Sequence, residues 1–493
     1  MFWEVKLMEI YVVQSGDTLF TIALRYNTTV DAIQRINQLP NPGQLVVGQT
    51  LLIPAPPAEA LRYTIVSGDT LFQIARIFNI SVSDIVQANN IPNPNQIQTG
   101  TVLVIPDWSQ IRYTVRPGDT LYTIAGRHDI PLSLIAKVNR ITDPSRIYPG
   151  QNLVIPQPVP LVSPVEIETL AYFHLLNMTA LERALPGLSP YITFGALFNY
   201  NVNIEGNITV PANTTRAINL LNSSNIRPLM VITNWGTTGT FDPDVARAII
   251  GTAEIKARTI ANIQTIMEQY GFAGVNVDFE NMYPEDRQLF TAFIRDLVAA
   301  LKPRGYLVSL AMAPKYADFP NSPWVGAFDY GALGQVADFI HLMTYEWGWV
   351  GGPPMAVAPI NQVRPVLAYA TSLIPPEKIL QGIPLYGYNW SLPYPSGRLA
   401  TPINLVDVYS LAYRNNANIN YDQVAQSPWF QYTDENGVQH EVWFEDLRSL
   451  QAKYDILKEF NLRGAGFWSN VNYPFGTPAG WALLGQNFTV MKV

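Results

Sequence analysis

The segment Gly274-Val275-Asn276-Val277-Asp278-Phe279-Glu280-Asn281 ends an apolar run in two carboxylates spaced two residues apart. In a β-strand, residues i, i+2 and i+4 share a face. Asn276, Asp278 and Glu280 would then point one way, with Val275, Val277 and Phe279 turned toward covering helices. Carboxyl groups held roughly 6–7 Å apart along one strand resist double ionisation, so one keeps its proton near neutral pH. Such a group can protonate a leaving oxygen. A solvent-facing strand end or an ion-pair site would leave the same Asp-x-Glu pattern, so the flanking sequence has to decide.

Apolar runs at 168–174, 192–200, 226–235, 274–280, 307–313, 339–345, 380–388 and 465–469 alternate with amphipathic helical patterns. Eight strands separated by helices predict a closed (β/α)8 barrel over 160–493. An open doubly wound sheet would carry a Gly-rich phosphate turn after its first strand, and the sequence has none there. Barrel chemistry sits at the C-terminal strand ends. Those ends are rich in rings and polar groups: Tyr172, Phe198, Asn234-Trp235, Asp278 and Glu280, Met343 through Trp347, Tyr386 and Trp468. An aromatic cleft around carboxylates suits a sugar, whose faces stack on such rings. The long stretch 389–463, between the seventh and eighth strands, predicts a small insertion with a turn at Asp434-Glu-Asn-Gly437 and a hairpin arm at Val438-Gln-His-Glu-Val442-Trp443. It would form one wall of the cleft or a solvent-side brace.

Ahead of the barrel lie three copies of one unit. Tyr11-Val-Val-Gln-Ser-Gly16-Asp17-Thr18-Leu19 recurs at Tyr63 to Leu71 and at Tyr113 to Leu121. In each copy an Asn (Asn37, Asn89, Asn139) follows the glycine by 21 residues and a Pro (Pro54, Pro106, Pro156) by 38. Each reads strand, helix, helix, strand, with Asp or Thr of the turn placed to cap the first helix. The expected domains are 11–55, 63–107, 113–157 and 160–493, joined by short stiff linkers at 55–58, 107–112 and 158–160.

Composition removes several functions. The 493 residues are 48% hydrophobic and 14% charged, which describes folded material. Cysteine is absent and the four histidines are scattered, so neither disulfides nor a metal centre is expected, and no cofactor. Residues 1–157 hold 11 of the 31 Lys and Arg and 11 of the 38 Asp and Glu, so the net charge of −7 falls on the remainder. Neither part has the basic excess of a nucleic-acid or anionic-membrane binder. No apolar run reaches membrane-spanning length, and the start lacks the apolar core of a secretory signal.

The repeats resemble the LysM module, which binds polymers containing N-acetylglucosamine. The resemblance implies sugar contacts at Gly16, Asp17, Thr18, Pro42 and Leu45 in the first copy. The matching residues are Gly68, Asp69, Thr70, Pro94 and Ile97 in the second, and Gly118, Asp119, Thr120, Pro144 and Ile147 in the third. The alternative is that these residues only cap the helix and shape the loop. With near-zero module charge, binding would resist salt, and three linked copies would add avidity.

The strand around Asp278 and Glu280, with Met343-Thr-Tyr345, Gly382-Ile-Pro-Leu-Tyr386-Gly387 and Gly466-Phe-Trp468, resembles glycoside hydrolase family 18. That family's pattern is D-x-x-D-x-D-x-E, and here Ala273 and Asn276 replace the first two acids. With Gly351-Gly-Pro-Pro-Met355-Ala-Val-Ala-Pro359, the chain is similar to a narrower branch of spore cortex-lytic N-acetylglucosaminidases. The resemblance implies Glu280 as general acid, Asp278 orienting the substrate's acetamido group beside Asn276, and Tyr345 bonded to its carbonyl. Trp468 would floor the ring, and Tyr172, Trp235, Met343, Glu346, Tyr386 and Phe198 would complete substrate binding. It further implies a monomer in the spore cortex or coat, or the cell wall, acting on peptidoglycan or chitin oligomers. The competing readings are a chitinase and a non-catalytic wall-binding protein.

Overall fold

Eight parallel strands close into a barrel in the computed structural model. It describes residues 8–492 apart from Asn27, 55–58, Asp129, 159–164, Asn177, 395–397 and 470–475. The strands are β1 (Val165–His174), β2 (Phe194–Asn201), β3 (Arg227–Thr233), β4 (Gly274–Asp278), β5 (Leu307–Met312), β6 (Phe339–Leu342), β7 (Ile379–Pro384) and β8 (Gly464–Trp468). Each pairs with the next, and β8 returns to β1 with Gly464 opposite Glu168. The short strand Phe488–Val490 adds to the start of β1.

Strands buried on both faces read as continuous apolar runs, as a parallel barrel requires. Outward-facing Phe279 stacks on Phe290 and Phe293 of the helix Arg287–Leu301, with ring centroids 6.3 and 5.9 Å away. Inside, Leu170, Phe194, Leu229, Phe339 and Leu380 pack the lower part of the barrel. Helix ends follow local chemistry. The helix Ala253–Tyr270 stops at Gly271, whose φ of 81° only glycine adopts cheaply.

The insertion is a five-stranded antiparallel sheet (Tyr386–Leu392, Thr401–Asn404, Asn420–Asp422, Ser427–Thr433, Gln439–Trp443) with the helix Leu405–Arg414. The expected hairpin at 438–443 is present, turned by Asp434–Gly437, where Asp434 N–H donates to Val438 O. The insertion ends sooner than the sequence suggested. Asp446 and Ser449 form a capping box, and the next helix, Leu447–Glu459, is the ordinary barrel helix before β8.

The residues divide into two compact units, the larger holding Ile10–Leu19, Ile33–Leu52 and Pro164–Val493. The smaller is built mainly on Phe20–Ala32 and Ile53–Ser163. In it the second and third modules share one three-stranded sheet: Glu59–Thr64, Val102–Thr114 and Asn152–Pro158. The expected linker at 107–112 is therefore strand. The ladder is irregular between Ala60 and Arg62, and the register with 152–158 begins only at Trp108, so Pro106 interrupts no paired stretch. One apolar core runs through both modules, from Leu61, Ile74 and Phe78 to Ile124, Ile135 and Ile155. Units of about 45 residues bury too little surface alone, and fusing two cores offsets that. The other expected linkers, 55–58 and 158–160, lie almost entirely outside the described residues.

The spaced asparagines are structural. Asn37 Nδ2 donates to Ile33 O and Leu52 O, and its Oδ1 accepts from Leu52 N–H; Asn89 and Asn139 repeat all three bonds. Each ties the second helix to the closing strand.

Candidate active site

Asn276 and Asp278 face inward from β4, as the two-residue alternation requires. Glu280 lies past the strand end, so alternation alone does not place it. Asn234, just beyond β3, holds it instead: Asn234 Oδ1 accepts from Glu280 N–H at 2.9 Å, and Asn234 Nδ2 donates to Glu280 O at 2.8 Å.

A polar layer underlies the acids. Tyr172 O–H donates to Asn276 Oδ1 at 3.0 Å, and Asn276 Nδ2 donates to Ser309 Oγ at 2.9 Å. Ser309 is opposite Asn276 in register and donates onward to Val275 O. His341 Nε2 meets the Tyr345 hydroxyl at 3.1 Å. Burial pushes that imidazole down to about 3, so it is neutral. Gly466 and Gly382 make room. A Cβ on Gly466 would lie 2.1 Å from His341 Nδ1, and one on Gly382 would lie 2.8 Å from the Tyr345 ring.

Asp278 is almost wholly buried, and its Oδ1 has no hydrogen-bond partner. Burial raises the Asp278 carboxyl. Glu280 is raised well above the carboxylate range by burial first, then by the charges of Asp278 and Glu346. Glu346 is raised by burial too, against the hydrogen bonds it accepts from Tyr386 and Tyr388. Burial and mutual repulsion among the three acids therefore favour a proton held on Glu280, the condition for general acid catalysis near neutral pH.

The acids open on a cavity of about 270 Å³ that also presents Tyr172, Phe198, Trp235, Met343, Tyr345, Glu346 and Trp468. Trp468, at the end of β8, meets Tyr172, His174 and Phe198 edge-on at 5.2–5.4 Å. Two sequence candidates sit elsewhere: Asn276 is buried beneath the cavity, and Tyr386 is buried behind Glu346, which it braces. Residues not singled out from the sequence also line it: His174, Phe241 and Trp324. His174 lies two positions beyond Tyr172 on the same strand face, a signal that alternation could have supplied. Phe241 and Trp324 come from loops, where no period marks them. Among the described residues the insertion contributes none to the lining, but its Tyr388 hydroxyl holds Glu346. Among the described residues no cluster of His, Cys, Asp and Glu could hold a metal ion, and no helix is long and apolar enough to cross a membrane.

In the modules the turn glycines Gly16, Gly68 and Gly118 have φ of 84–90°. Each turn aspartate is occupied by its own fold. Asp17, Asp69 and Asp119 accept the hydroxyls of Tyr11, Tyr63 and Tyr113 and the N–H groups of Gln14, Val66 and Arg116. Thr70 caps its helix through Gln73 N–H, and Thr120 accepts from Thr123 N–H. The glycines, Thr18, Thr70, Thr120, Pro42, Pro94 and Pro144 are exposed, with Leu45, Ile97 and Ile147 half-buried beside them.

Crowded carboxyls among aromatic rings, at the mouth of a closed parallel barrel, are the arrangement of a (β/α)8 glycoside hydrolase. The chain belongs to glycosyl hydrolases family 18, whose profile matches residues 191–471, and LysM domain matches cover 11–54, 63–106 and 113–156. It is 44% identical over 436 residues to the cortical fragment-lytic enzyme of Bacillus subtilis (strain 168), spanning 87% of this chain and 98% of that one. The crystal structure of the Bacillus cereus spore cortex-lytic enzyme SleL covers 99% of both chains at 33% identity with a TM-score of 0.74. A chitinase structure from Chromobacterium violaceum covers 65% of this chain and 98% of its own, at 28% identity and a TM-score of 0.58.

Proposed function

We propose that this family 18 hydrolase is a retaining β-N-acetylglucosaminidase that cuts spore cortex peptidoglycan and is held to its substrate by the LysM modules. The observation that carries the reading is the Glu280 carboxyl, fixed at its backbone by Asn234 and open, beside Asp278 and Glu346, to the aromatic cavity. The length over which the chain follows two cortex-acting relatives supports the substrate.

Glu280 protonates the glycosidic oxygen. The substrate's own acetamido oxygen attacks the anomeric carbon and gives an oxazolinium ion, so no second carboxylate forms a bond to the sugar. Glu280 then takes a proton from the water that opens the ring. Asp278, whose Oδ1 is unoccupied, accepts the acetamido N–H and offsets the positive charge developing there. The tautomer of neutral His341 carrying its proton on Nε2 donates to the Tyr345 oxygen, which frees the Tyr345 O–H for the acetamido carbonyl. Trp468 floors the ring. Asn276 takes up Tyr172 and Ser309 without adding a charge beneath Asp278.

This chemistry requires a free N-acetyl group on the sugar preceding the cut. In cortex many muramic residues carry their amide as a lactam, which cannot attack, so cleavage follows N-acetylglucosamine. Reducing-end analysis of digested cortex fragments tests this: N-acetylglucosamine at the new ends is expected, and muramic residues there would overturn the reading. The chitinase alternative draws on the Chromobacterium violaceum neighbour, and parallel assays on chitin oligomers and purified cortex separate the two.

A further inference from the structure

The three modules differ just before their closing strands, where Val46-Val47-Gly48 corresponds to Gln98-Thr99-Gly100 and Tyr148-Pro149-Gly150. The glycine is left-handed in every copy, with φ of 86–93°. A Cβ on Gly100 or Gly150 would meet nothing within 4 Å, whereas on Gly48 it would lie 2.0 Å from Ile419 O. Ile419 N–H donates to Val47 O at 2.9 Å, and Thr50 Oγ1 lies 3.0 Å from the Tyr409 hydroxyl. Val46 is buried in the insertion's apolar cluster, while Tyr148, its counterpart, is 66% exposed. Within the larger unit, the first module is thus seated on the insertion by residues its sister copies lack.

That seating encloses a cavity of about 260 Å³ between the loop 38–44 and the helix Leu405–Arg414, sharing no residue with the catalytic mouth. Leu39, Pro40 and Tyr413 give it apolar and aromatic walls, and Gln44 and Ser410 give it neutral hydrogen-bonding groups. Glu445 lines it as well. Its side chain is fully buried, with one oxygen 2.7 Å from Lys453 Nζ and the other, Oε1, left without a partner. A buried acceptor without a donor costs on the order of 1–3 kcal/mol, and a turn of the side chain that uncovers Oε1 to the cavity would let an entering hydroxyl or amide N–H recover it. Its described lining contains no Lys or Arg, which disfavours an anion.

We propose that this cavity is a second glycan site, taking a neutral N-acetylated oligosaccharide away from both the catalytic mouth and the Gly-Asp-Thr turns. Rings, neutral amides and one bare acceptor suit hydroxyl- and acetamido-bearing sugars. The proposal is independent of the catalytic reading, because its test uses a chain that does not turn over. The full-length Glu280→Gln protein is irradiated with an N-acetylglucosamine tetramer carrying a diazirine, and labelled peptides are mapped by mass. Label on 405–414 is expected, displaced by unlabelled tetramer. It should fall at least several-fold in Ser410→Trp, which fills the cavity, and in Tyr413→Ala, which removes a wall and leaves the fold intact. Absence of label on 405–414 while the catalytic mouth is labelled would overturn the proposal. So would label that persists undiminished in both variants.

Discussion

Asp69 and Asp119 occupy turns in which each carboxylate accepts a phenol O–H and a backbone N–H. The Tyr113 hydrogen bond, helped by the Arg116 N–H, brings Asp119 down to about 2. Asp69 is lowered as well: burial opposes this, but Tyr63, the Val66 N–H and Lys137 outweigh it. At the barrel mouth the same functional group is treated in the opposite way. Asp278 keeps an oxygen without a donor, Glu280 shares a buried space with two other acids, and both rise. A satisfied carboxylate stabilises a fold, whereas an unsatisfied one stores the free energy that chemistry later uses.

The largest test of this contrast is Glu280→Gln. Turnover of soluble cortex fragments should fall at least about a hundredfold, with no loss of melting temperature. The sign comes from the raised folded value: stability is fully present below the unfolded pKa and is lost as pH rises through the folded one. The variant escapes that loss, so it should be more stable than the native protein near pH 8 and gain nothing near pH 4. Thermal melts at the two pH values check it. Tyr345→Phe, which removes one donor to the developing charge, should lower kcat by about a hundredfold with little change in KM.

Asp69→Ala should leave hydrolysis of soluble fragments unchanged and destabilise the smaller unit by about 1–3 kcal/mol, because the Tyr63 hydroxyl and Val66 N–H lose their acceptor. Here the pH sign reverses. The native advantage is present above the unfolded aspartate value and is lost as pH falls through the lowered one, which denaturant melts at pH 7 and pH 3 would register. The smallest effect is Glu346→Gln. Removing that charge relieves Glu280, so the descending alkaline limb of kcat/KM should move to lower pH.

The sequence made some of this legible because of exact repetition. Tyr11 with Asp17, and its two copies, stand six residues apart in each motif, yet spacing does not reveal whether a polar group faces a neighbour or a ligand. The sugar role suggested for those aspartates competes with bonds they already make. The barrel strands were legible because burial on both faces leaves unbroken apolar runs. The position of Glu280 was not, since β4 ends at Asp278 and the side chain that fixes the Glu280 backbone, Asn234, stands just past β3, 46 residues away in sequence. Ser309 and His341 were also missed, although each lies on the inward face of its strand, because their partners Asn276 and Tyr345 are identified only by register and by the fold of a loop. Residues 107–112 read as a linker from Pro106 and Asp107, yet Trp108 to Arg112 pair with 154–158, and the ladder is unpaired only just before Trp108.

The most direct measurement is the titration of the Glu280 carboxyl, isolated as the difference between carbon NMR spectra of native and Glu280→Gln proteins. The side-chain resonance should move well above the ordinary glutamate value of about 4.3. A midpoint at or below that value would mean that Glu280 is ionised at neutral pH, and the proton donor on which cleavage depends would be missing.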